Sequence, residues 1–200
     1  MKLLLGWQLA ALRLLAGDLY LLPDSFLAAV GERLLVRVQD GRNFPHSERE
    51  PVLADSAIYT AKAAYNLLSP QHELNALILQ GNLKDRGTAV LAVESKDHRN
   101  FAKALVVVEA PDQNSMRQLG TALELVPDSN PLLGDNSFHL VHRRMPLPGC
   151  VFELLAVSGS AVSGKTDVEG KATVRITKPG RYLLRAVHED LSASLTFEVR

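Results

Sequence analysis

Residues 171–199 read KATVRITKPGRYLLRAVHEDLSASLTFEV, and this stretch decides the fold class of the chain. Its runs 171–176, 182–188 and 194–199 are rich in β-branched and aromatic residues, which favour strands. The pair Pro179-Gly180 lies between the first two runs and is typical of a turn in which glycine adopts a positive φ. Short strands separated by glycine and proline turns predict a β-sandwich.

The same pattern continues towards the N-terminus as far as residue 122, where the polar, aperiodic segment 111–115 is the best candidate for a linker. The sequence therefore predicts an all-β (mainly β) protein. An N-terminal β-rich domain of residues 17–118 is followed by an immunoglobulin- or transthyretin-like β-sandwich of residues 119–200. Further strands of the sandwich are predicted at 122–126, 137–142 and 151–157, and its core is expected to include Val151, Leu154, Val174, Leu183 and Phe197.

Strand patterns also occupy much of the N-terminal half. Residues 43–51 are polar and bracketed by prolines, so they predict a loop. Residues 56–68 contain several alanines, and their pattern leaves helix and strand open. The uninterrupted apolar run 105–108 is typical of a strand that is buried on both faces. Strands are predicted at 32–39, 74–79, 88–94 and 101–110.

The first sixteen residues have the pattern of a secretory signal. Lys2 precedes the apolar run 3–12, which is too short to span a bilayer. The alternative is a helix or strand that packs on the fold. We expect residues 1–16 to be signal-derived and the mature chain to begin near Gly17 without a transmembrane segment. A periplasmic or secreted protein follows from this interpretation.

Charge and cysteine content exclude several classes of partner. The 22 Lys+Arg residues balance the 22 Asp+Glu residues, so no long-range field attracts nucleic acid or anionic lipid. The densest basic spot, residues 142–144, is followed by Met-Pro-Leu-Pro and predicts a solvated turn. Cys150 is the one cysteine; it can form no disulfide within the chain, and we expect a buried thiol.

Residues 159–166 read GSAVSGKT and match the phosphate-binding motif G-x-x-x-x-G-K-[ST]. In nucleotide hydrolases a helix begins at the Lys-Thr pair, so that its N-terminal amides face the phosphates. Here Gly170 and the β-rich run 171–176 follow Thr166, and both oppose a helix. We therefore predict a hairpin at this position and no nucleotide binding.

The six histidines form no spacing that places two ligands on one face of a helix or strand. The nearest cluster is His46, Glu48 and Glu50, which alternate in the predicted loop. One imidazole and two carboxylates could hold a divalent transition metal, whereas a solvated polar loop is the alternative interpretation. No Ser/His/Asp arrangement of any specificity is present, so the sequence indicates no catalytic residue and no enzyme.

Several motifs, in order along nearly the whole chain, resemble a family of bacterial periplasmic proteins of unknown function that was formerly labelled as nickel-uptake (NikM-like) components. Its members begin, after the signal peptide, with a His-Asp-aromatic/aliphatic-Leu-x-Pro motif, which resembles residues 17–23 (GDLYLLP). The family pattern also favours strand over 56–68. The other similar segments are 30–32 (VGE), 40–48 (DGRNFPHSE), 101–105 (FAKAL), 166–170 (TDVEG), 179–182 (PGRY) and 195–198 (LTFE).

The resemblance implies an exported accessory or binding protein associated with transition-metal (nickel or cobalt) uptake. Its partner would be a metal transporter or another envelope protein, and a divalent transition metal is the one cofactor that it implies. The family's leading histidine, a natural metal ligand, is Gly17 here, which weakens a metal-handling role. A second hypothesis is a structural adhesion or assembly module whose strand edges contact other proteins and which binds no small ligand.

Overall fold

The computed structural model describes residues 18–200, without the side chains of residues 68–70. In this part the only helical segment is a 3₁₀ turn, Gln113–Met116, and the predicted all-β class is confirmed. In chain order the strands are β1 (Asp18–Pro23), β2 (Leu27–Ala28), β3 (Arg33–Gly41), β4 (Leu53–Tyr59), β5 (Ala64–Asn66), β6 (Leu68–Glu73), β7 (Ala76–Asn82), β8 (Gly87–Ser95), β9 (Asn100–Val108), β10 (Leu123–Pro127), β11 (Gly134–His142), β12 (Met145–Pro146), β13 (Val151–Ala156), β14 (Ala161–Lys165), β15 (Lys171–Ile176), β16 (Gly180–His188) and β17 (Leu191–Val199).

The strands form three layers. The central sheet has nine strands in the order β14-β13-β16-β17-β9-β8-β4-β5, with β2 beside β9. The outer sheet, in the order β1-β3-β7-β6, packs on one face of the central sheet. The C-terminal sheet, made of β10, β11, β12 and β15, packs on the other face. Each side of the central sheet therefore has its own apolar core.

Strand β9 lies in the middle of the central sheet and is buried on both faces. Phe101 and Leu105 pack against the C-terminal sheet. Ala102, Ala104 and Val106 alternate with them and pack against the outer sheet. A strand with cores on both sides has no solvent face for polar residues. The prediction from the apolar run 105–108 is confirmed for Leu105, Val106 and Val108, whereas Val107 is half-buried.

Aromatic rings fill the core between the C-terminal and central sheets. Phe197 is 1% exposed, and its ring centroid lies 5.6 Å from that of Phe138 and 5.9 Å from that of Tyr182. Leu154 and Val174, two other predicted core residues, belong to the same cluster. The prediction of one core between two sheets is confirmed for these three residues.

Two of the predicted core positions are wrong. Val151 is 39% exposed because it begins β13 with its side chain on the face opposite to that of Phe152. Leu183 is buried but does not belong to the cluster around Phe197, since it alternates with Tyr182 and Leu184 along β16. Both residues lie in runs in which apolar and polar residues do not strictly alternate. In such runs the composition predicts a strand, but it does not show which side chains point to the core.

Polar contacts tie the start of the outer sheet to the central sheet. Asp18 Oδ2 lies 2.7 Å from Arg185 Nη1, and Arg185 also pairs with Glu153 at 2.6 Å. Ser194 Oγ donates to the carbonyl of Leu19 at 2.7 Å. Burial raises the pKa of Asp18 to about 6, although Arg185 acts in the opposite direction. Ordered polar partners of this kind fix where β1 lies on the central sheet.

The central sheet contains strands from both sides of the segment 111–115, which is predicted as a linker. Strand β17 pairs in parallel with β9 from Ser192↔Asn100 to Thr196↔Ala104. Val90, Phe101 and Leu105 also share one apolar cluster with the residues of the C-terminal sheet. A linker leaves few core contacts across it, whereas this strand pair and this cluster both join residues on the two sides of 111–115. The division at residues 118 and 119 itself stays a prediction: residues 120–200 should fold alone as a β-protein, which circular dichroism of that fragment would test.

Most local predictions agree with the structure. The ambiguous segment 56–68 contains no helix and contributes to β4, β5 and β6, with a turn at 60–63. Gly180 has a φ of +152°, so a side chain there would be strained. Arg143 and Arg144 are exposed at the β11–β12 turn with φ values of 50° and 69°. The Cys150 thiol is buried, and burial raises its pKa to about 11.

The predicted signal-derived segment, residues 1–16, lies outside the described residues. Within residues 18–200, none of the helical structure has the length and hydrophobicity of a transmembrane span.

Candidate functional site

The three predicted loop ligands follow β3 but turn to different partners. The carbonyl of His46 accepts a hydrogen bond from the Tyr20 hydroxyl at 2.7 Å. Glu48 Oε1 accepts from the backbone N–H of Arg42 at 3.2 Å, and Glu50 Oε1 lies 2.5 Å from Nδ1 of His72. Across residues 18–200 no group of three or more His, Cys, Asp or Glu side chains is placed to hold a metal ion. Metal binding by His46, Glu48 and Glu50 stays a prediction.

The phosphate-loop motif lies on the hairpin formed by β13 and β14. Gly159 occupies the turn with a φ of +88°, and Gly164 lies within β14 opposite Phe152. A Cβ at Gly164 would lie 2.6 Å from the Phe152 ring, so this glycine makes room for a core aromatic. Thr166 donates to the carbonyl of Leu147 at 2.6 Å. The prediction that a strand follows the motif is confirmed by β15.

A cleft lies where the central sheet extends beyond the C-terminal sheet. We call it the junction cleft; its volume is about 350 Å³. Strands β4 and β8 form its floor, and the segment 119–122, which leads into β10, forms its wall. Its lining residues are Asp55, Tyr59, Ala92, Val93, Glu94, His98, Phe101, Leu119, Gly120, Thr121 and Ala122.

Aromatic and aliphatic side chains provide the apolar part of the junction cleft. Phe101 is 5% exposed, and Tyr59 and Leu119 are partly buried at the edge of the same core. Burial raises the pKa of Tyr59, so its hydroxyl stays neutral at physiological pH. Arg117 covers the Tyr59 ring at 5.3 Å from the centroid and donates to the carbonyl of Thr60 at 2.7 Å. Arg117 is thereby fixed beside the aromatic floor.

Two carboxylates face each other on this floor. Asp55 and Glu94 are directly paired positions of β4 and β8, so their side chains project from the same face. Like charges at opposed positions destabilise a sheet unless a cation lies between them. Glu94 Oε1 lies 2.5 Å from Nδ1 of His98. Asp55 Oδ1 accepts from the backbone N–H of Ser56 at 2.8 Å, and within residues 18–200 Asp55 has no salt-bridge partner.

Sequence reasoning missed this site. Asp55 lies just before the ambiguous segment 56–68, and Glu94 ends a predicted strand, so the local sequence marks neither residue as a ligand. Their proximity depends on the register of β4 against β8, which is shifted by an irregularity between Leu53 and Asp55. A single acidic residue on each of two strands that are distant in sequence gives no local signal for a shared site.

Comparisons with solved structures show only remote similarity. The adhesin InvE of Yersinia pseudotuberculosis is 16% identical with a TM-score of 0.29; the match covers 92% of this chain and 58% of that chain. The D0-D1 domain of intimin is 14% identical with a TM-score of 0.32, covering 90% of this chain and 97% of that chain. A Salmonella alpha-2-macroglobulin mutant is 13% identical with a TM-score of 0.33, covering 92% and 15%, respectively. This chain thus spans less than two thirds of the InvE chain.

Sequence comparison gives a clearer result. No curated protein matches this chain. A family model matches residues 14–190, nearly the whole chain, and its description is a domain of unknown function, DUF4198. The match includes the segments on which the resemblance to a periplasmic family of unknown function was based, apart from the last one at 195–198. The chain therefore belongs to the DUF4198 family of domains of unknown function.

Proposed function

We propose that this chain is an exported binding protein, not an enzyme, and that its junction cleft binds a cationic group carried on an apolar body. The observation that supports this most directly is the pair of opposed carboxylates, Asp55 and Glu94, beside the apolar side chains of Tyr59 and Phe101. A ligand cation between the carboxylates would relieve their repulsion. The apolar body of the ligand would pack on the aromatic floor.

An organic cation fits this cleft better than a metal ion. The volume of about 350 Å³ is that of a cleft for a small organic molecule or a side chain. Metal ions in proteins take three or more protein ligands in most structural and catalytic sites. No such group is present among residues 18–200. An ammonium or guanidinium needs only hydrogen-bond acceptors and an opposite charge, which two carboxylates provide.

Calorimetric titration with two matched probes tests the proposal. Nα-acetyl-lysine methylamide carries an ammonium on an apolar chain, and Nα-acetyl-norleucine methylamide carries the chain without the charge. We expect the wild type to bind the first more tightly than the second, and Asp55→Asn to weaken the first about tenfold. Asp135→Asn is the matched control, because Asp135 is exposed and pairs with Arg175 at 3.8 Å, away from the cleft. Equal binding of both probes, or equal loss in both variants, would refute the proposal.

A role in nickel or cobalt uptake, with a metal transporter as partner, is a second proposal. It is supported by the resemblance described above and by the loop residues His46, Glu48 and Glu50, which stay candidates for a divalent metal. Protein purified from the native host and dialysed would be analysed for nickel, cobalt, copper and zinc. A near-stoichiometric metal content supports this role. A metal-free protein that binds the lysine probe supports the organic cation instead.

A structural adhesion or assembly module is the alternative function. Strand β14 ends the central sheet, and Val162 within it is 50% exposed. An exposed edge of this kind can pair with a strand of another protein. In that case neither probe would bind and the dialysed protein would contain no metal.

Export is expected from the apolar run 3–12 behind Lys2. Mass spectrometry of protein from the native host should find a mature N-terminus near Gly17, in the periplasm or the medium. Recovery of chains that keep Met1 from the cytosol would contradict the expectation.

A further inference from the structure

A buried ion pair lies directly behind the junction cleft. Lys103 of β9 is 5% exposed, Glu124 of β10 is 2% exposed, and Lys103 Nζ lies 2.9 Å from Glu124 Oε1. The pair joins the central sheet to the C-terminal sheet across the apolar cluster. Burying two charges is costly unless both are paired and their remaining hydrogen-bonding capacity is used. The other hydrogen-bond partners of Glu124 therefore show how its remaining capacity is used.

Those partners belong to the wall of the cleft. Glu124 Oε1 also accepts from the backbone N–H of Leu119 at 2.7 Å, and Oε2 accepts from that of Gly120 at 3.0 Å. Both residues lie outside any strand, so these bonds replace the ladder that would otherwise hold the segment. Gly120 has a φ of +81°, and a Cβ there would lie 3.2 Å from the Arg144 guanidinium. The Glu124 carboxylate therefore holds the wall at Leu119 and Gly120, and the backbone N–H of Arg143 holds its other end by donating to the carbonyl of Ala122 at 2.9 Å.

The ion pair also determines the net charge that lies next to the floor of the junction cleft. Lys103 is the paired position of Ala92, which lines the cleft, so its ammonium lies on the cleft side of the central sheet. Glu124 neutralises this ammonium. Without Glu124, a buried positive charge would oppose any cation between Asp55 and Glu94.

We infer that Lys103 and Glu124 are positioning residues of the junction cleft: Glu124 holds the wall at Leu119 and Gly120, and Lys103 holds the Glu124 side chain in place through the buried ion pair. The inference rests on the proposed function of the cleft as a binding site. The part of the inference that concerns the wall can be tested without a ligand, by hydrogen exchange of the Leu119 and Gly120 amides.

The experiment combines amide exchange with the lysine probe. In Glu124→Gln one side-chain oxygen becomes an NH₂ group, which cannot accept from a backbone N–H. We expect the amide that faces this NH₂ group, that of Leu119 or of Gly120, to lose its protection from hydrogen exchange and the probe to bind about tenfold more weakly. Asp135→Asn, which removes an exposed carboxylate, should change neither quantity.

A double variant separates positioning from stability. Lys103→Met combined with Glu124→Gln removes both charges, so it should recover thermal stability relative to Glu124→Gln. It should not recover the exchange protection of the wall, and it should recover only the part of the affinity that the uncompensated Lys103 charge removed, so that the probe still binds more weakly than to the wild type. Full recovery of the wild-type affinity without recovery of the wall's protection would show that the pair acts only through charge and stability, and it would overturn the inference.

The outcomes distinguish the inference from the proposed function. If the wild type binds neither probe, the proposed function fails, and amide exchange still decides whether Glu124 holds the wall. If Glu124→Gln does not fold, the wild type gives the answer: Leu119 and Gly120 should exchange far more slowly than Val168, which is 90% exposed in a turn. Unprotected wall amides in the wild type, or unchanged protection and affinity in Glu124→Gln, would overturn the inference.

Discussion

Lys103→Met is expected to destabilise the full-length protein by about 3–5 kcal/mol, because it leaves Glu124 buried without its cation. Glu124 is 2% exposed, and its two backbone donors supply hydrogen bonds but no charge. Burial lowers the pKa of Lys103, and the Glu124 carboxylate acts in the opposite direction. Urea unfolding at neutral pH, followed by circular dichroism, measures the change.

The double variant Lys103→Met with Glu124→Leu is the control. Replacing both members of a buried pair with apolar residues is often neutral or stabilising, so this variant should be more stable than Lys103→Met alone. The two backbone amides of the wall then lose their acceptor, which keeps the recovery incomplete. A Lys103→Met protein as stable as the wild type would mean that the pair is not closed in solution.

In the C-terminal half, local sequence patterns predict the strands but not the pairing of strands that are distant in sequence. Runs 171–176, 182–188 and 194–199 correspond to β15, β16 and β17 because each combines strand-forming residues with turn residues at its ends. The pairing of β17 with β9 was not predictable in the same way. It joins residues more than ninety positions apart in sequence, such as Ser192 and Asn100, and no local feature encodes a parallel partner.

The two candidate sites also differ in how far the sequence predicts them, because only one of them is formed by residues close together in sequence. His46, Glu48 and Glu50 alternate in sequence, which predicts a common site; in the fold the Glu48 and Glu50 carboxylates contact Arg42 and His72, respectively, and metal binding by the three stays a prediction. Asp55 and Glu94 are far apart in sequence and meet only through strand register. Spacing predicts a site where one helix or strand supplies all of its residues. A site assembled from two strands and a connecting segment needs the tertiary fold.

The residues that match the phosphate-loop motif have structural roles in the β-hairpin, and these roles explain why they are present. Gly164 satisfies the motif, yet its role in the fold is to leave room for the ring of Phe152. Thr166 satisfies it as well, yet its hydroxyl joins the carbonyl of Leu147 to the backbone N–H of Cys150. Small and hydroxyl-bearing residues suit tight β-hairpins as well as phosphate loops, so the motif needs a following helix to be informative.

Phe197→Ala is expected to cost about 3–5 kcal/mol of folding free energy, the range for removing a fully buried aromatic ring. Phe197 is 1% exposed and lies between Phe138 and Tyr182, so the neighbouring rings can fill the resulting cavity only in part. Strand β17 also pairs with both β16 and β9, which places this residue at the centre of the central sheet. Urea unfolding of the full-length chain gives the magnitude.

Val168→Ala is the matched control, since Val168 is 90% exposed and its truncation should change stability by no more than about 0.5 kcal/mol. A loss of 3–5 kcal/mol is a large part of the stability of an ordinary domain, so unfolded Phe197→Ala protein at room temperature would also fit the expectation. A Phe197→Ala protein as stable as the wild type would contradict it. Such a result would mean that β17 does not hold the C-terminal sheet against the central sheet, and the shared core would have to be drawn differently.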